Sequence, residues 1–337
     1  MMDVQRGIES AFPREEYDAR MVKVRAALSS RRLDAGVFTG PENIFYLTGQ
    51  QTPGYYTFQC LIVPVDGAPL FLLRQLEMMN FLRNTFVQEY ETYGDGTTAA
   101  GLVVDALKRR KLAGGQIAIE KDGWFLPISF YEALKAALPC VADVSGIVES
   151  LRRVKSPAEL RALEESARHA DAGISAGIAA IRAGVTENDL VAEMMHAAIA
   201  AGAEYMGMEP LVSSGPRSRV PHATWRRRTL APGDAVFLEM SGCFNRYHAG
   251  LMRTAWLGPP PPLARTLEKV VQEAVAAVLD AAKPGVTCAD VHQAAQRVID
   301  ANGMTERYRK RTGYSLGISF APDWGEWQVL SLFDRVD

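Results

Sequence analysis

The 337-residue sequence is 48% apolar with a formal net charge of −2, a composition typical of a folded protein with buried cores and, at this length, of two domains. The small net charge argues against nucleic acid or an anionic membrane as the main partner. The sequence has no run of 18 apolar residues and no signal-like N-terminus, and its four cysteines (Cys60, Cys140, Cys243 and Cys288) lack metal or disulfide spacing, so we expect a cytoplasmic protein with reduced thiols.

Residues 1–150 are predicted to form one α/β domain. Helical spacing of apolar residues indicates helices at 17–31, 97–110 and 130–137, and short apolar runs indicate strands at 35–39, 60–65, 69–73 and 116–119. The Asp66-Gly67 turn between two of these strands predicts a hairpin. Asn43–Thr48 is predicted to be a short helix or an irregular piece. The aromatic run Tyr55–Phe58 has two interpretations, packing within its own domain or a lip over the site of another domain.

The segment after residue 150 begins with a helix and then repeats itself. Ser156, Pro157 and Glu159 form a capping box that opens a helix predicted to reach about residue 182. Gly184-Val185-Thr186 and Gly285-Val286-Thr287 lie 101 residues apart, and each opens a helix with a threonine cap and an aspartate three positions later. Each is also preceded by a long predicted helix. We interpret this as an internal duplication, in which two α–β halves would form a cleft at their pseudo-twofold axis.

The second copy of this repeat is shorter than the first. The first runs from Gly184 to Leu257, roughly 74 residues, and the second from Gly285 to Asp337, roughly 53 residues. The second copy ends just after a strand-like segment at Val329–Phe333. By its own symmetry, the chain is therefore expected to lack its last strands.

A predicted hairpin within the first repeat carries the candidate chemistry. Residues 235–240 alternate as a strand with Glu239 on the face opposite Val236, and a turn is predicted at 241–246. The second strand then places His248, Gly250 and Met252 on one face. A buried carboxylate is costly unless it is paired or functional, and a carboxylate brought near imidazoles is suited to acid–base or nucleophilic catalysis. The alternative interpretation is an ordinary hairpin with an edge glutamate and a surface histidine.

Several of these segments together resemble a known superfamily. They are the duplicated half, the Pro221-His222 segment, the Gly233-Asp234 turn, the Arg253-Thr254 strand end and the N-terminal Asn43–Gly49 segment. The chain resembles the pita-bread superfamily of prolidase, aminopeptidase P, methionine aminopeptidase and creatinase. The resemblance implies a mixed α/β (α+β) fold, with a creatinase-like N-terminal domain at 1–150 and a pseudo-twofold pita-bread domain at 151–337 that we expect to be incomplete at its C-terminal end. It also implies a homodimer, and it assigns substrate contact and proton transfer to His222.

The metal-ligand pattern of the peptidases in this superfamily is broken here. By resemblance, those enzymes have Asp where Glu239 and Gly250 stand, and His where Tyr314 and Ala321 stand. A dinuclear centre needs several oxygen or nitrogen ligands that converge on two ions, and a glycine offers no side-chain ligand. We therefore expect neither a metal nor another cofactor.

Two metal-free relatives can be compared through the same residues. Creatinase is distinguished by a Glu where Met252 stands. Members similar to ectoine hydrolase share the strand glutamate, the Arg246–Ala249 segment, the Tyr314 segment and Pro322–Glu326. The resemblance thus implies a metal-independent hydrolase of a non-peptide C–N bond in a small amidine or amide such as ectoine. Two alternatives stay open: an Xaa-Pro dipeptidase or aminopeptidase P-like metallopeptidase, and a catalytically inactive peptidase-like binding module.

Each candidate residue has an expected role under this interpretation. Glu239 would attack the amidine carbon or activate water, while His222 would carry the proton. His248 and Tyr314 would donate hydrogen bonds to the developing charge. The residues expected to contact the small-molecule substrate are Glu326, which would pair with its cation, Arg253 and Tyr55.

Overall fold

The computed structural model describes residues 6–307, 311–326 and 328–332. The chain separates into two compact units, Met1–Val154 and Lys155–Asp337. No helix within the described ranges is long and apolar enough to cross a membrane.

The N-terminal unit is built on one six-stranded mixed sheet. Helices α1–α6 span Arg14–Ser30, Pro41–Thr48, Met78–Asn84, Ala99–Arg109, Ile128–Ala137 and Ile147–Arg152. Strands β1–β6 span Ala35–Phe38, Cys60–Pro64, Leu70–Arg74, Glu89–Tyr93, Ile117–Ile119 and Val141–Asp143, in the order β4-β3-β2-β1-β5-β6. β2 and β3 form the predicted antiparallel hairpin, whereas β1, β5 and β6 run parallel. The predicted helices and strands of this unit are confirmed, but α3, α6, β4 and β6 were not predicted.

The Asn43 segment that contributed to the resemblance has a structural role in this unit. The Asn43 amide donates to Glu120 and to Glu149, both at 2.6 Å, and its carbonyl oxygen accepts from Arg152 at 2.8 Å. Glu120 also accepts from the backbone N–H of Thr39 at 2.6 Å. Burial and the neighbouring Glu149 charge raise the pKa of Glu120 to about 7. Asn43 therefore links α2 to the end of β5 and to α6.

The C-terminal unit contains the duplicated halves. Helices α7–α10 span Pro157–Ala180, Glu187–Ala200, Pro262–Ala281 and Cys288–Ala301. Strands β7–β11 span Leu211–Ser214, Ala235–Phe244, Tyr247–Trp256, Gly313–Tyr314 and Ser331–Leu332, in the antiparallel sheets β7-β8-β9 and β10-β11. All three predicted capping boxes, at Ser156, Thr186 and Thr287, are present. Of the strand expected at 329–333, only Ser331–Leu332 is extended, and Phe333 lies outside the described residues.

The β8–β9 hairpin is longer than predicted. β8 continues to Phe244, and only Asn245 and Arg246 form the turn, both with positive φ, 49° and 61°. Such a two-residue turn matches the twist of the strands it connects. Gly242 falls within the segment predicted as a turn, yet it lies inside the strand, where a Cβ would collide with the Ser166 carbonyl of α7. The glycine is required for close packing rather than for a change of direction.

Candidate active site

Glu239 lies near the middle of β8 on the face opposite the core. Val236, Leu238 and Met240 are fully buried, whereas Glu239 is half-buried, so the predicted alternation is confirmed. In the ladder Glu239 pairs with Met252, and Cys243 pairs with His248. Four residues of strand separate those two pairs, which is about 13 Å at the usual rise per residue. The expected meeting of Glu239 with His248 is therefore wrong, although both residues lie on one face.

His248 has a structural position rather than the expected catalytic one. Its ring is fully buried, Nε2 accepts the backbone N–H of Gly207 at 3.0 Å, and Nδ1 lies 2.9 Å from the Arg246 carbonyl oxygen. Because a carbonyl only accepts, Nδ1 must carry the proton. Burial, together with the charge of Arg246, lowers the pKa of His248 to about 3. Backbone groups thus occupy both nitrogens of a neutral ring, which leaves no donor for a developing charge.

His222 lies in an exposed turn, and its backbone adopts a positive φ of 54°. Glu187, a residue that the sequence analysis did not select, anchors both sides of this loop from α8. Its fully buried carboxylate accepts from Ser214 N at 2.8 Å, accepts from Arg226 N at 2.7 Å and pairs with Arg217. The capping-box pattern drew attention to Thr186 and Asp189, so the buried glutamate between them had no distinct signal. Proton transfer by His222 stays a prediction.

Tyr314 does lie near Glu239, together with a tryptophan that the sequence analysis left without a role. Burial raises the pKa of Tyr314, a hydrogen bond from Trp324 lowers it, and the nearby charge of Glu239 raises it further. Trp324 is only 1% exposed, and its Nε1 lies 3.4 Å from the Tyr314 hydroxyl. A Cβ placed on Gly250 would lie 3.3 Å from the same Nε1. Glu239, Gly250, Tyr314 and Trp324 therefore form one cluster, which we call the β8 cluster.

Glu326 is already paired within the protein. It is 1% exposed, and its carboxylate forms a 2.7 Å ion pair with Lys155 and accepts the Ile318 N–H at 2.9 Å. A Cβ on Gly317 would collide with this carboxyl group, so the chain is packed closely around it. Lys155 holds the carboxylate in the interior, and the pairing of Glu326 with a substrate cation stays a prediction.

The two remaining candidates lie apart from the β8 cluster. Arg253 pairs with Leu238 in the ladder, hence on the face opposite Glu239, and its exposed side chain donates to the Met252 carbonyl at 2.7 Å. Tyr55 belongs to the N-terminal unit, where its ring meets Phe125 edge-on with centroids 5.2 Å apart. It lines a cavity of about 420 Å³ with other residues of that unit. Packing of the aromatic run within its own domain is thus observed, and substrate contact by Tyr55 stays a prediction.

The donor set of the described residues does not fit a two-metal centre. Residues 6–307, 311–326 and 328–332 contain no group of three or more His, Cys, Asp or Glu side chains placed to hold an ion. In addition, the Trp324 indole lies beside Gly250, in the space that a side chain at this position would enter. An aromatic ring in that space cannot replace an oxygen ligand.

The two units have the pita-bread architecture. A mixed-sheet N-terminal unit is followed by a unit with a duplicated pair of α–β halves. The chain belongs to metallopeptidase family M24, whose sequence pattern matches residues 161–329. The creatinase/prolidase N-terminal domain matches residues 20–154. The expected superfamily and fold class are therefore confirmed.

Relatives in this family carry different activities in their names. Ectoine hydrolase of Halomonas elongata is 30% identical, over 94% of this chain and 84% of that protein. An Xaa-Pro dipeptidase of Lactobacillus helveticus is 27% identical, over 88% of this chain and 81% of that protein. The prolidase structure from Pyrococcus horikoshii has a TM-score of 0.82 at 20% identity, over 95% of this chain and 86% of that one; at this identity the likeness shows the fold alone.

Proposed function

We propose that this chain hydrolyses a C–N bond in a small amidine or amide such as ectoine without a metal ion, and that Glu239 is the nucleophile. The observation that carries the proposal is the β8 cluster, in which a half-buried carboxylate lies near a tyrosine hydroxyl and a tryptophan indole. Glu239 can attract a cationic substrate, and the Tyr314 hydroxyl can donate a hydrogen bond to the developing charge. The ectoine hydrolase relative supports the same chemistry.

The proposed reaction adds water across the amidine. The Glu239 carboxylate bonds to the amidine carbon, and the C–N bond breaks as its nitrogen takes up a proton. Water then displaces the carboxylate, and an amide and a free amine remain. His222 is the proposed proton carrier, and Tyr314 donates a hydrogen bond to the reacting group. Met252 lies directly opposite Glu239 and is 37% exposed, so the substrate meets one carboxylate there and an apolar thioether beside it.

The second candidate is an Xaa-Pro peptidase, favoured by the dipeptidase relative. The donor set argues against it, because Gly250 offers no ligand and Trp324 lies in the space beside it. A peptidase with a single degenerate metal would use the residue at position 239 as a ligand rather than as a nucleophile. The two proposals therefore predict opposite responses when Glu239 is shortened.

The deciding experiment compares Glu239→Gln and Glu239→Asp on ectoine-like amidines and on Xaa-Pro dipeptides, with and without added Mn²⁺, Co²⁺ or Zn²⁺. If Glu239 is the nucleophile, Gln folds normally and lowers the amidine rate by roughly three orders of magnitude or more. Asp should be nearly as poor, since withdrawal of the carboxylate by about 1 Å costs roughly a hundredfold. An active, metal-stimulated Glu239→Asp peptidase would refute the assignment. Absence of turnover on every amidine, amide and peptide would favour the inactive binding module.

We also propose that the chain forms a homodimer in the cytoplasm. The family membership supports this assembly, and light scattering at micromolar concentration tests it. A purely monomeric protein under those conditions would contradict the proposal.

A further inference from the structure

The β8 cluster contains a hydrogen bond whose direction is set by chemistry. The indole N–H of tryptophan can only donate, whereas a tyrosine hydroxyl can both donate and accept. In the contact between Trp324 Nε1 and the Tyr314 hydroxyl, the tyrosine oxygen must therefore be the acceptor. The Tyr314 proton is then left to point away from the indole. At 3.4 Å the contact is long, as catalytic hydrogen bonds often are before substrate binds.

The surroundings hold both rings in place. Two glycines lie against the pair: a Cβ on Gly250 would be 3.3 Å from the indole nitrogen, and a Cβ on Gly325 would be 2.5 Å from Tyr314 Cε2. The Asp323 carboxylate accepts the Trp324 backbone N–H at 2.7 Å and the Gly325 N–H at 3.1 Å, and this fixes the loop that carries the indole. A larger residue at either glycine would displace one of the rings.

From this geometry we propose that Trp324 is a positioning residue, which turns the Tyr314 hydroxyl into a hydrogen-bond donor directed toward the reacting group at Glu239. The inference rests on the proposed function and deepens it, because it explains which way the Tyr314 hydroxyl directs its proton. Trp324 itself does not need to touch the substrate. Three charged groups also act on Tyr314: Glu239 from β8, Asp323 from the loop, and Arg311, whose guanidinium lies 5.1 Å from the ring centroid.

The kinetic test is a double-mutant cycle on an amidine substrate. Trp324→Phe keeps an aromatic ring and removes the N–H together with part of the indole, so kcat should fall roughly five- to tenfold with little change in KM. Tyr314→Phe should lower kcat by about a hundredfold. If Trp324 acts through Tyr314, the double variant should be no slower than Tyr314→Phe alone. Additive losses would overturn the proposal, because they would mean that the indole acts independently of the tyrosine.

A spectroscopic test separates this inference from the proposed function. The Tyr314 ionisation can be isolated as the difference between alkaline ultraviolet titrations of the wild type and Tyr314→Phe. Loss of the indole donor should shift this ionisation to higher pH in Trp324→Phe, because the hydrogen bond favours the phenolate. The matched control is Trp256→Phe, the same exchange at the far end of β9, which should leave it unchanged. If the ionisation is unshifted in Trp324→Phe, the inference is overturned even when the enzyme is active. If the ionisation shifts but the protein does not turn over amidines, only the proposed function is refuted.

Discussion

The turn and the middle of the β8–β9 hairpin both carry polar side chains, but these side chains differ in how deeply they are buried. At the turn end, His248 is fully buried, and backbone groups satisfy both ring nitrogens. The segment that pairs with this turn includes Ile318, whose N–H bonds to Glu326, and Lys155 neutralises that carboxylate. At the middle of the hairpin, Glu239 is half-buried near Tyr314. A polar residue in a strand therefore indicates chemistry only where the surrounding fold leaves it accessible to a ligand.

The largest effect should come from breaking the ion pair at the turn end. Lys155→Met leaves the Glu326 carboxylate buried without its cation, and the free energy of unfolding should fall by about 3–5 kcal/mol. Urea denaturation measures this change. Lys269→Met is the matched control, because its pair with Glu273 is exposed and should contribute less than about 0.5 kcal/mol. A Lys155→Met protein as stable as the wild type would mean that the ion pair with Lys155 does not stabilise the fold. That result would support a role for Glu326 in binding a substrate cation.

The second effect is on the pH dependence of stability. In the folded protein His248 has a pKa of about 3, so its ring stays neutral above that pH. In the unfolded chain a histidine takes up a proton below about pH 6.5. The stability that the neutral ring contributes is therefore present above pH 6.5 and is lost as the pH falls toward 3, by at most about 1.4 kcal/mol per pH unit.

His248→Gln should remove this contribution, so the free energy of unfolding should depend less steeply on pH between 6.5 and 5 than in the wild type. Chemical denaturation at several pH values measures the slope. His196→Gln, at an exposed position of α8, serves as the control and should keep the wild-type slope. If His248→Gln also keeps that slope, the wild-type ring is not held neutral, and water reaches His248 more easily than the structure indicates.

The smallest effect should come from Arg253. Its side chain lies on the face of the ladder opposite Glu239 and is exposed, so Arg253→Ala should change KM and kcat less than about twofold and stability by less than about 0.5 kcal/mol. Met252→Ala, one residue away on the Glu239 face, should raise KM several-fold through lost apolar contact. A tenfold rise in KM for Arg253→Ala would show that Arg253 contacts the substrate and that the site reaches both faces of β9.

Much of the fold could be predicted because its signals are local. Ser156 and Thr186 each bond to a backbone N–H three residues away, and this short reach makes a capping box readable from spacing alone. Likewise, the alternation at Val236 and Glu239 reflects the two faces of a single strand. The predicted turn of the hairpin began too early. A glycine is needed at position 242 because α7 approaches the strand closely at Ser166, and this is a tertiary contact.

The superfamily, the repeat and the strand that carries Glu239 could be predicted from the sequence, because each is marked by short local patterns of residues. Which polar residues remain accessible could be seen only in the folded protein. The partner of Glu326 is 171 residues away, and the N–H that occupies His248 is 41 residues away. Trp324 likewise lies at the site because it packs beside Gly250, which is far from it in the sequence. Contacts over such separations depend on how the whole unit packs, and no local spacing encodes them.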